Sequence, residues 1–475
     1  MIDLYLVDEV RVKFVGLRQK DINYIISQTK KYVKGYFQTA EFKIGAWDGK
    51  DSHFKEDGFT YFYMLDSIFP LLENLGYNVD RDINVIDYRE LYEQPEHIDE
   101  YYLKDYGIEL RYFQRDCVNE IIDKEKGIVE VGTSGGKTLI SYLISKVYDG
   151  VGLRSINIVP SNSLVNQTFE YYEDKDIDAC KITEKDTEES IAEKLEEYNH
   201  YIITWQKLQN VQSLFDEFHG VLIYDECHVM GDVICKILAD TFSECPIRVG
   251  MTGSLPTDAQ KKEKIYCHIG GEPLYTIPAS ELMEEGFAAT ASITMIQTSH
   301  KDFHEQFDQS QWTWQKEERY TAHNEDRVKA IAEYIDSLPD RNTLVLCHRA
   351  MAENLAERLD KPYIDGSMKT KDRQFYYDSF EESDDNLVIA SYGTSSKGLS
   401  IDRIFRLILI DVGKDSITTI QSIGRGIRKD GVYNHVDVID IYADSKYALK
   451  HKKDRVKIYK KNNYEYVDSR QKIIV

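Results

Sequence analysis

Two rhythms of hydrophobic positions run along this chain. Leu4–Val7 and Val10–Val15 alternate apolar and polar around Asp8-Glu9, which predicts a β-hairpin. Gln19 to Val33 carries Ile22, Ile25, Ile26 and Val33 at helical spacing. The stretch E-F-K-I-G-A-W-D-G-K predicts a strand that ends in a turn at Asp48-Gly49. Phe59–Tyr63 reads as a further strand, and Ile68–Leu75 as a helix stopped by Gly76. Residues 1–90 thus predict a small α+β domain. Residues 91–106 are polar and rich in tyrosine and read as a linker. Leu110-Arg111-Tyr112-Phe113-Gln114 then opens a helix that runs to Ile122.

From Ile128 onward β-branched runs alternate with helical patterns. Strands are predicted at Ile128–Val131, Ser155–Val159, Tyr201–Thr204, Val221–Tyr224 and Arg248–Met251. Such alternation predicts a parallel sheet with helices on both faces. Each strand ends in a polar cluster, where open α/β sheets bind ligands. A second cycle starts near Arg327. It has a helix at Val328–Ile335, strands at Asn342–Cys347, Pro362–Ile364, Asn386–Ala390 and Arg406–Ile410, and a helix through Leu359. The expected fold is α/β: two parallel-sheet domains, 107–290 and 291–445, behind the small N-terminal domain, with a basic tail over 446–475.

With 475 residues the chain has room for roughly three domains. No run approaches the ~18 apolar residues of a membrane span, and the acidic N-terminus lacks the basic start of a signal peptide. The seven scattered cysteines never form C-x-x-C, which points to a reducing cytoplasm and away from zinc. The formal net charge of −23 argues by itself against a polyanionic partner. The distribution tempers that: 170–197 is heavily acidic, whereas the tail from Lys446 to Lys472 is basic. A solvated helix face is the plain alternative for that tail.

Chemistry concentrates at three places. Gly132, Thr133, Ser134, Gly135, Gly136, Lys137 and Thr138 follow an apolar strand and open a helix. Such a loop wraps phosphates with backbone N–H groups. Lys137 would reach the β/γ-phosphates, and Thr138 would offer its hydroxyl to Mg²⁺. Val131 stands where the strict phosphate-loop pattern has its first glycine. Asp225-Glu226 ends a fully apolar strand. Asp225 suits Mg²⁺, and Glu226 suits the activation of water. Gln421, Arg425 and Arg428 fall at i, i+4 and i+7, one face of a helix, in a domain with no phosphate loop of its own. Taken singly, each also reads as an ordinary turn or a surface stripe.

Jointly, and in this order, these pieces resemble the superfamily 2 helicases and translocases. The matching stretches are R-Y-F-Q, G-T-S-G-G-K-T, P-S-N-S-L-V-N-Q, D-E-C-H, T-G-S, L-V-L-C-H-R, G-T-S-S-K-G-L-S-I-D and Q-S-I-G-R-G-I-R. The resemblance implies two RecA-like domains with ATP in the cleft between them. It implies that Gln114 reads adenine, that Arg111 belongs to the cofactor-binding set, and that Gly398 and Asp402 sense nucleotide. Arg425 and Arg428 become arginine fingers beside Gln421, and His228, Thr252 and Ser254 couple hydrolysis to movement. Asn162, Gln167, Thr204, Trp205, His348, Arg349, Thr394 and Ser395 become strand contacts, of the small polar kind that position a backbone without reading sequence. F-K-I-G-A-W-D-G-K and A-S-Y-G-T-S-S-K-G-L-S resemble the UvsW-type helicases of tailed phages. That narrower likeness implies fork regression, Holliday-junction branch migration and R-loop unwinding in the host cytoplasm, with Trp47 and Lys50 against branched DNA. An RNA helicase, or an ATP-switched clamp that anneals without unwinding, are the alternatives. A pure clamp has no need of Glu226.

Overall fold

The computed structural model describes the chain apart from residues 34, 90–91, 176, 289, 301–311, 393–402, 413–434 and 462–463, and apart from a few side chains in 370–381 and at 461. Two compact units result: Met1–Val131 with Gly136–Thr276, and Gly132–Gly135 with Ile277–Val475.

The first unit begins with the expected hairpin. β1 (Ile2–Leu6) and β2 (Arg11–Val15) pair antiparallel with Leu4 opposite Phe14. Ile2, Leu4, Leu6, Val12 and Phe14 turn inward, as a two-residue period requires. β3 (Lys31–Tyr32) and β4 (Lys50–Asp51) form a short ribbon. β5 (Phe59–Tyr61) and β6 (Ile83–Asp87) complete a mixed sheet of order β5-β2-β1-β6. Helices Gln19–Thr29 and Leu65–Asn74 share its apolar cluster through Ile22, Ile25, Ile68 and Leu72.

The strand expected over 41–50 is absent. Thr39 Oγ1 accepts the Phe42 N–H and starts a helical turn over Ala40–Lys43. Gly45 and Gly49 then take positive φ (74° and 77°). A cap and two left-handed residues outweigh the alternation. The expected linker is also folded. Ile98 and Leu103 are buried, and the Asn119 amide exchanges hydrogen bonds of 2.9 and 3.0 Å with the Ile98 backbone.

Nor does the N-terminal sheet hang free. Glu9 N donates to Ser243 O at 2.9 Å, and Tyr63 Oη donates to Glu272 at 2.8 Å. Cys267 enters the apolar cluster of Leu4, Val12 and Ile68. The buried Glu9 carboxylate pairs with buried Lys126 and, at 3.0 Å, with Arg89.

The larger sheet of this unit contains β7 (Lys126–Val131), β8 (Arg154–Val159), β9 (Ala179–Ile182), β10 (His200–Thr204), β11 (Gly220–Tyr224), β12 (Ile247–Thr252) and β13 (Pro273–Ile277). Its order is β13-β7-β12-β11-β8-β10-β9, with parallel pairing from β7 to β9. Helices cover both faces, so β10 and β11 are buried along their whole length. Each buried Ile, Leu or Val contributes roughly 1.5–3 kcal/mol. β9 lies inside the acidic stretch, where charge hid the inward pair Cys180 and Ile182.

The second unit holds β14 (Thr290–Ser299), β15 (Thr343–Cys347), β16 (Tyr363–Ile364), β17 (Leu387–Ser391), β18 (Arg406–Ile410), β19 (His435–Ala443) and β20 (Glu465–Ile474). Their order is β16-β17-β15-β18-β19-β14-β20. Both seven-stranded sheets are RecA-like, and the chain is α/β with a small N-terminal α+β sheet.

The basic segment expected as a tail is part of this second sheet. Lys446–Lys461 is a helix, and β20 pairs along β14 from Ser292 to Ser299. His451, Arg455, Ile458 and Tyr459 form a buried stripe at helical spacing that the charge count obscured. Arg455 makes two bonds to Asp440, at 2.8 and 2.9 Å, and one to Val412 O at 2.7 Å. Burial lowers the Arg455 pKa, and Asp440 more than reverses that.

Candidate functional site

Five candidate segments leave their strands at the same edge of the first seven-stranded sheet, because parallel pairing sets all the carboxyl ends together. β7 runs into Gly132–Gly136 and then the helix Lys137–Asp149. Gly135 N donates to Gly132 O at 3.1 Å and tightens the loop. Ser134 (φ 71°) and Gly136 (φ 83°) are both left-handed. A serine there is strained, and glycine is not. A Cβ on Gly136 would lie 2.6 Å from Gln114 Nε2, so the Gln114 amide rests directly on the loop. Gln114 Oε1 in turn accepts the Arg111 N–H at 3.1 Å in a capping box. Burial lowers the Arg111 pKa.

Lys137 Nζ lies 3.5 Å from Val131 O and 4.0 Å from Glu226 Oε1. Thr138 follows it in the first turn of the helix. Asp225 N donates to Ile158 O at 2.9 Å, which fixes the end of β11 beside β8. Asp225 Oδ1 accepts the Glu226 N–H at 2.9 Å. Burial and then the Glu226 charge raise the Asp225 pKa, while Lys137 lowers it. Glu226 takes φ 53°, an uncommon conformation for a residue with a Cβ. That turn directs its carboxylate to His228 Nδ1, 3.1 Å away, as well as to Lys137.

His228 carries the contact onward. Its Nδ1 is 3.0 Å from Thr252 Oγ1. Thr252 Oγ1 donates to Ser254 O at 3.0 Å and accepts the Ser254 N–H at 3.2 Å. A continuous polar line therefore joins the loop lysine, both acids, and the T-G-S turn. Glu130, which sequence reading passed over, braces it by accepting the Leu255 N–H at 2.9 Å. Its only signal was a carboxylate inside an apolar strand. Cys227 is buried against Gly250, where a Cβ would lie 3.2 Å from its sulfur.

The candidate strand contacts are more scattered. Asn162 is exposed in the first turn of Asn162–Glu173, a helix that Ser161 caps, and Gln167 is half-buried on the same helix. Thr204 is buried, and its hydroxyl caps the next helix by accepting the Lys207 N–H at 3.2 Å. Trp205 packs against the core of this sheet. In the second unit His348 lies between Glu318, 2.9 Å from its Nδ1, and Asp411 O, 3.2 Å from its Nε2. Burial lowers the His348 pKa, but Glu318 and Asp411 outweigh it and hold the ring above its ordinary value. Arg349 is exposed and pairs with Glu353 and Asp365. Trp47 donates its indole N–H to Lys50 O at 2.8 Å, and Lys50 Nζ sits 4.6 Å from the Tyr32 ring centre. Thr394, Ser395, Gly398, Asp402, Gln421, Arg425 and Arg428 lie outside the described residues.

Comparison with known proteins follows the same layout. Residues 107–257 match the family "Type III restriction enzyme, res subunit", and residues 326–430 match "Helicase conserved C-terminal domain". The "ATP-dependent DNA helicase uvsW" of Enterobacteria phage T4 is 25% identical over 469 residues, 91% of this chain and 92% of that one. The "Putative DNA 3'-5' helicase Rad25" of Halobacterium salinarum is 24% identical over 330 residues, 68% of this chain and 53% of its own length. Among solved structures, the "ATP-dependent Type ISP restriction-modification enzyme LlaBIII bound to DNA" shares the fold. It has 12% identity and a TM-score of 0.56, over 85% of this chain and 34% of that one. Among the described residues no helix is long and apolar enough to cross a membrane. With both halves of a helicase motor matched in sequence order, and a relative aligned over nine-tenths of each chain, the protein belongs to the superfamily 2 helicases, as an ATP-dependent enzyme similar to UvsW.

Proposed function

We propose that this chain is an ATP-dependent DNA helicase or translocase that remodels branched DNA: fork regression, Holliday-junction branch migration and R-loop unwinding in phage replication and recombination. The observation that carries the reading is the contact line from Lys137 through Glu226 and His228 to Thr252 and Ser254. It links a phosphate-loop lysine to a water-activating acid and then to a turn that can report hydrolysis. The nine-tenths alignment with the T4 "ATP-dependent DNA helicase uvsW" supports the DNA-helicase part, and the branched-DNA part rests on the stretches F-K-I-G-A-W-D-G-K and A-S-Y-G-T-S-S-K-G-L-S that resemble UvsW-type helicases.

In this reading the loop N–H groups and Lys137 hold the ATP phosphates, and Gln114 with Arg111 holds the adenine. Glu226 orients the attacking water. Arg425 and Arg428 stabilise charge on the transferring phosphoryl group, with Gln421 beside them. Gly398 and Asp402 respond to the nucleotide. Mg²⁺ would be held by the Thr138 hydroxyl and the Asp225 carboxylate, hard oxygens of the kind it prefers. The raised Asp225 pKa marks a carboxylate that a cation would stabilise in its charged form. Among the described residues no three His, Cys, Asp or Glu side chains cluster as a metal cage. When bound, Mg²⁺ supplies charge neutralisation at the phosphates.

Asn162, Gln167, His348 and Arg349, with Thr394 and Ser395, are proposed to touch the DNA backbone, and Trp47 with Lys50 a duplex arm. Thr204 and Trp205 are weaker members of that set, since one caps a helix and the other packs on the core. The test is strand displacement on forks, four-way junctions and R-loops with ATP, with Lys137→Ala as the control. Displacement from branched DNA that needs ATP and Lys137 supports the reading. ATP-dependent binding without displacement would instead support the clamp.

A further inference from the structure

The helix Trp314–His323 divides its side chains by charge. Glu317 is turned inward, 4% exposed. Its carboxylate accepts Ser445 Oγ at 2.5 Å and the Tyr447 and Ala448 N–H groups, the start of the helix Lys446–Lys461. A carboxylate suits that positive helix end. Glu318 is paired with His348. Both acids of the helix are therefore consumed on one side.

The other side is left basic and aromatic. Lys316, Arg319, Tyr320 and His323 recur at spacings of three and four, so they share a face of the helix, and Trp312, just before its N-cap, lies against Tyr320. They line an open groove of about 530 Å³. The Trp312 and Tyr320 rings meet edge to face at 5.4 Å. Lys316 and Arg319 are exposed, and among the described residues neither side chain makes an ion pair. On a chain of net charge −23, such a face is a local attraction for a polyanion. Aromatic faces beside cations are the chemistry by which single strands are held without regard to sequence.

We propose that this groove is a docking site for single-stranded DNA, with bases against Trp312 and Tyr320 and phosphates against Lys316 and Arg319. It rests on the reading of the chain as a DNA motor and adds a contact surface apart from the motif residues. The experiment measures binding of a fluorescent oligodeoxythymidylate by anisotropy across a salt series. Wild-type protein is compared with Trp312→Ala and with Lys316→Ala/Arg319→Ala, all checked for an unchanged melting temperature. Trp312→Ala is expected to weaken binding about tenfold. The double variant, whose two side chains lie on the surface and carry no fold, is expected to flatten the salt slope by roughly 0.7 per lost phosphate contact. Wild-type affinity and slope in the double variant would overturn the groove and leave the motor reading standing. A wild-type protein that binds no single strand at all would overturn both.

Discussion

Glu9 and Lys126 offer a sharp test of how the N-terminal sheet is held. Both side chains are about 5% exposed, and Lys126 begins the strand that leads into the phosphate loop. Burial lowers the Lys126 pKa, and Glu9 opposes that. Removing one partner of a buried pair costs about 3–5 kcal/mol, because the other charge is left unpaired. The structure makes the two removals unequal. Glu9→Gln removes the charge opposite Lys126 and leaves it, among the described residues, a neutral amide and the Phe62 ring, 5.0 Å away. Lys126→Met leaves Glu9 still bonded to Arg89 at 3.0 Å. Glu9→Gln is thus expected to cost the full ~3–5 kcal/mol and Lys126→Met roughly 1–3 kcal/mol. The assay is amide hydrogen exchange at Leu4 and Val12, whose protection reports opening of the N-terminal sheet. Exchange there should accelerate on the order of 10²–10⁴-fold in Glu9→Gln, and less in Lys126→Met. Unchanged protection in Glu9→Gln, or a larger loss in Lys126→Met, would refute the reasoning.

The remaining expectations concern the motor. Glu226→Gln should cut ATP turnover by about 10²–10⁴-fold yet keep ATP affinity, whereas Lys137→Ala should lose affinity; equal loss of ATP binding in both would contradict the assigned roles. Thr252→Val removes the hydroxyl between His228 and Ser254. Strand displacement per ATP hydrolysed should fall by roughly 2–30-fold, and an unaltered ratio would detach that hydroxyl from coupling. Truncation after Ser445 removes β20 and strands Asp440 without Arg455. The second unit should lose its cooperative melting transition, and a truncated chain that melts normally and only binds DNA less well would restore the idea of a free tail.

The parallel-sheet core and the order of the chemistry within it are legible from the residues alone. Wholly buried strands such as Gly220–Tyr224 are written as continuous apolar runs, and the loop and the acids follow directly from neighbours in the chain. Those are local facts, so they are legible locally. Tertiary structure decided the rest. The turn over Ala40–Lys43 came from a cap and two left-handed glycines that overrode alternation. Lysines in 446–461 masked a buried face, because partner acids such as Asp440 and Asp468 lie on other strands. The same holds for Glu9 with Lys126, and for His228 with Thr252, 24 positions on. A charge's role depends on what neutralises it and on whether water is excluded, and neither is fixed until distant segments meet.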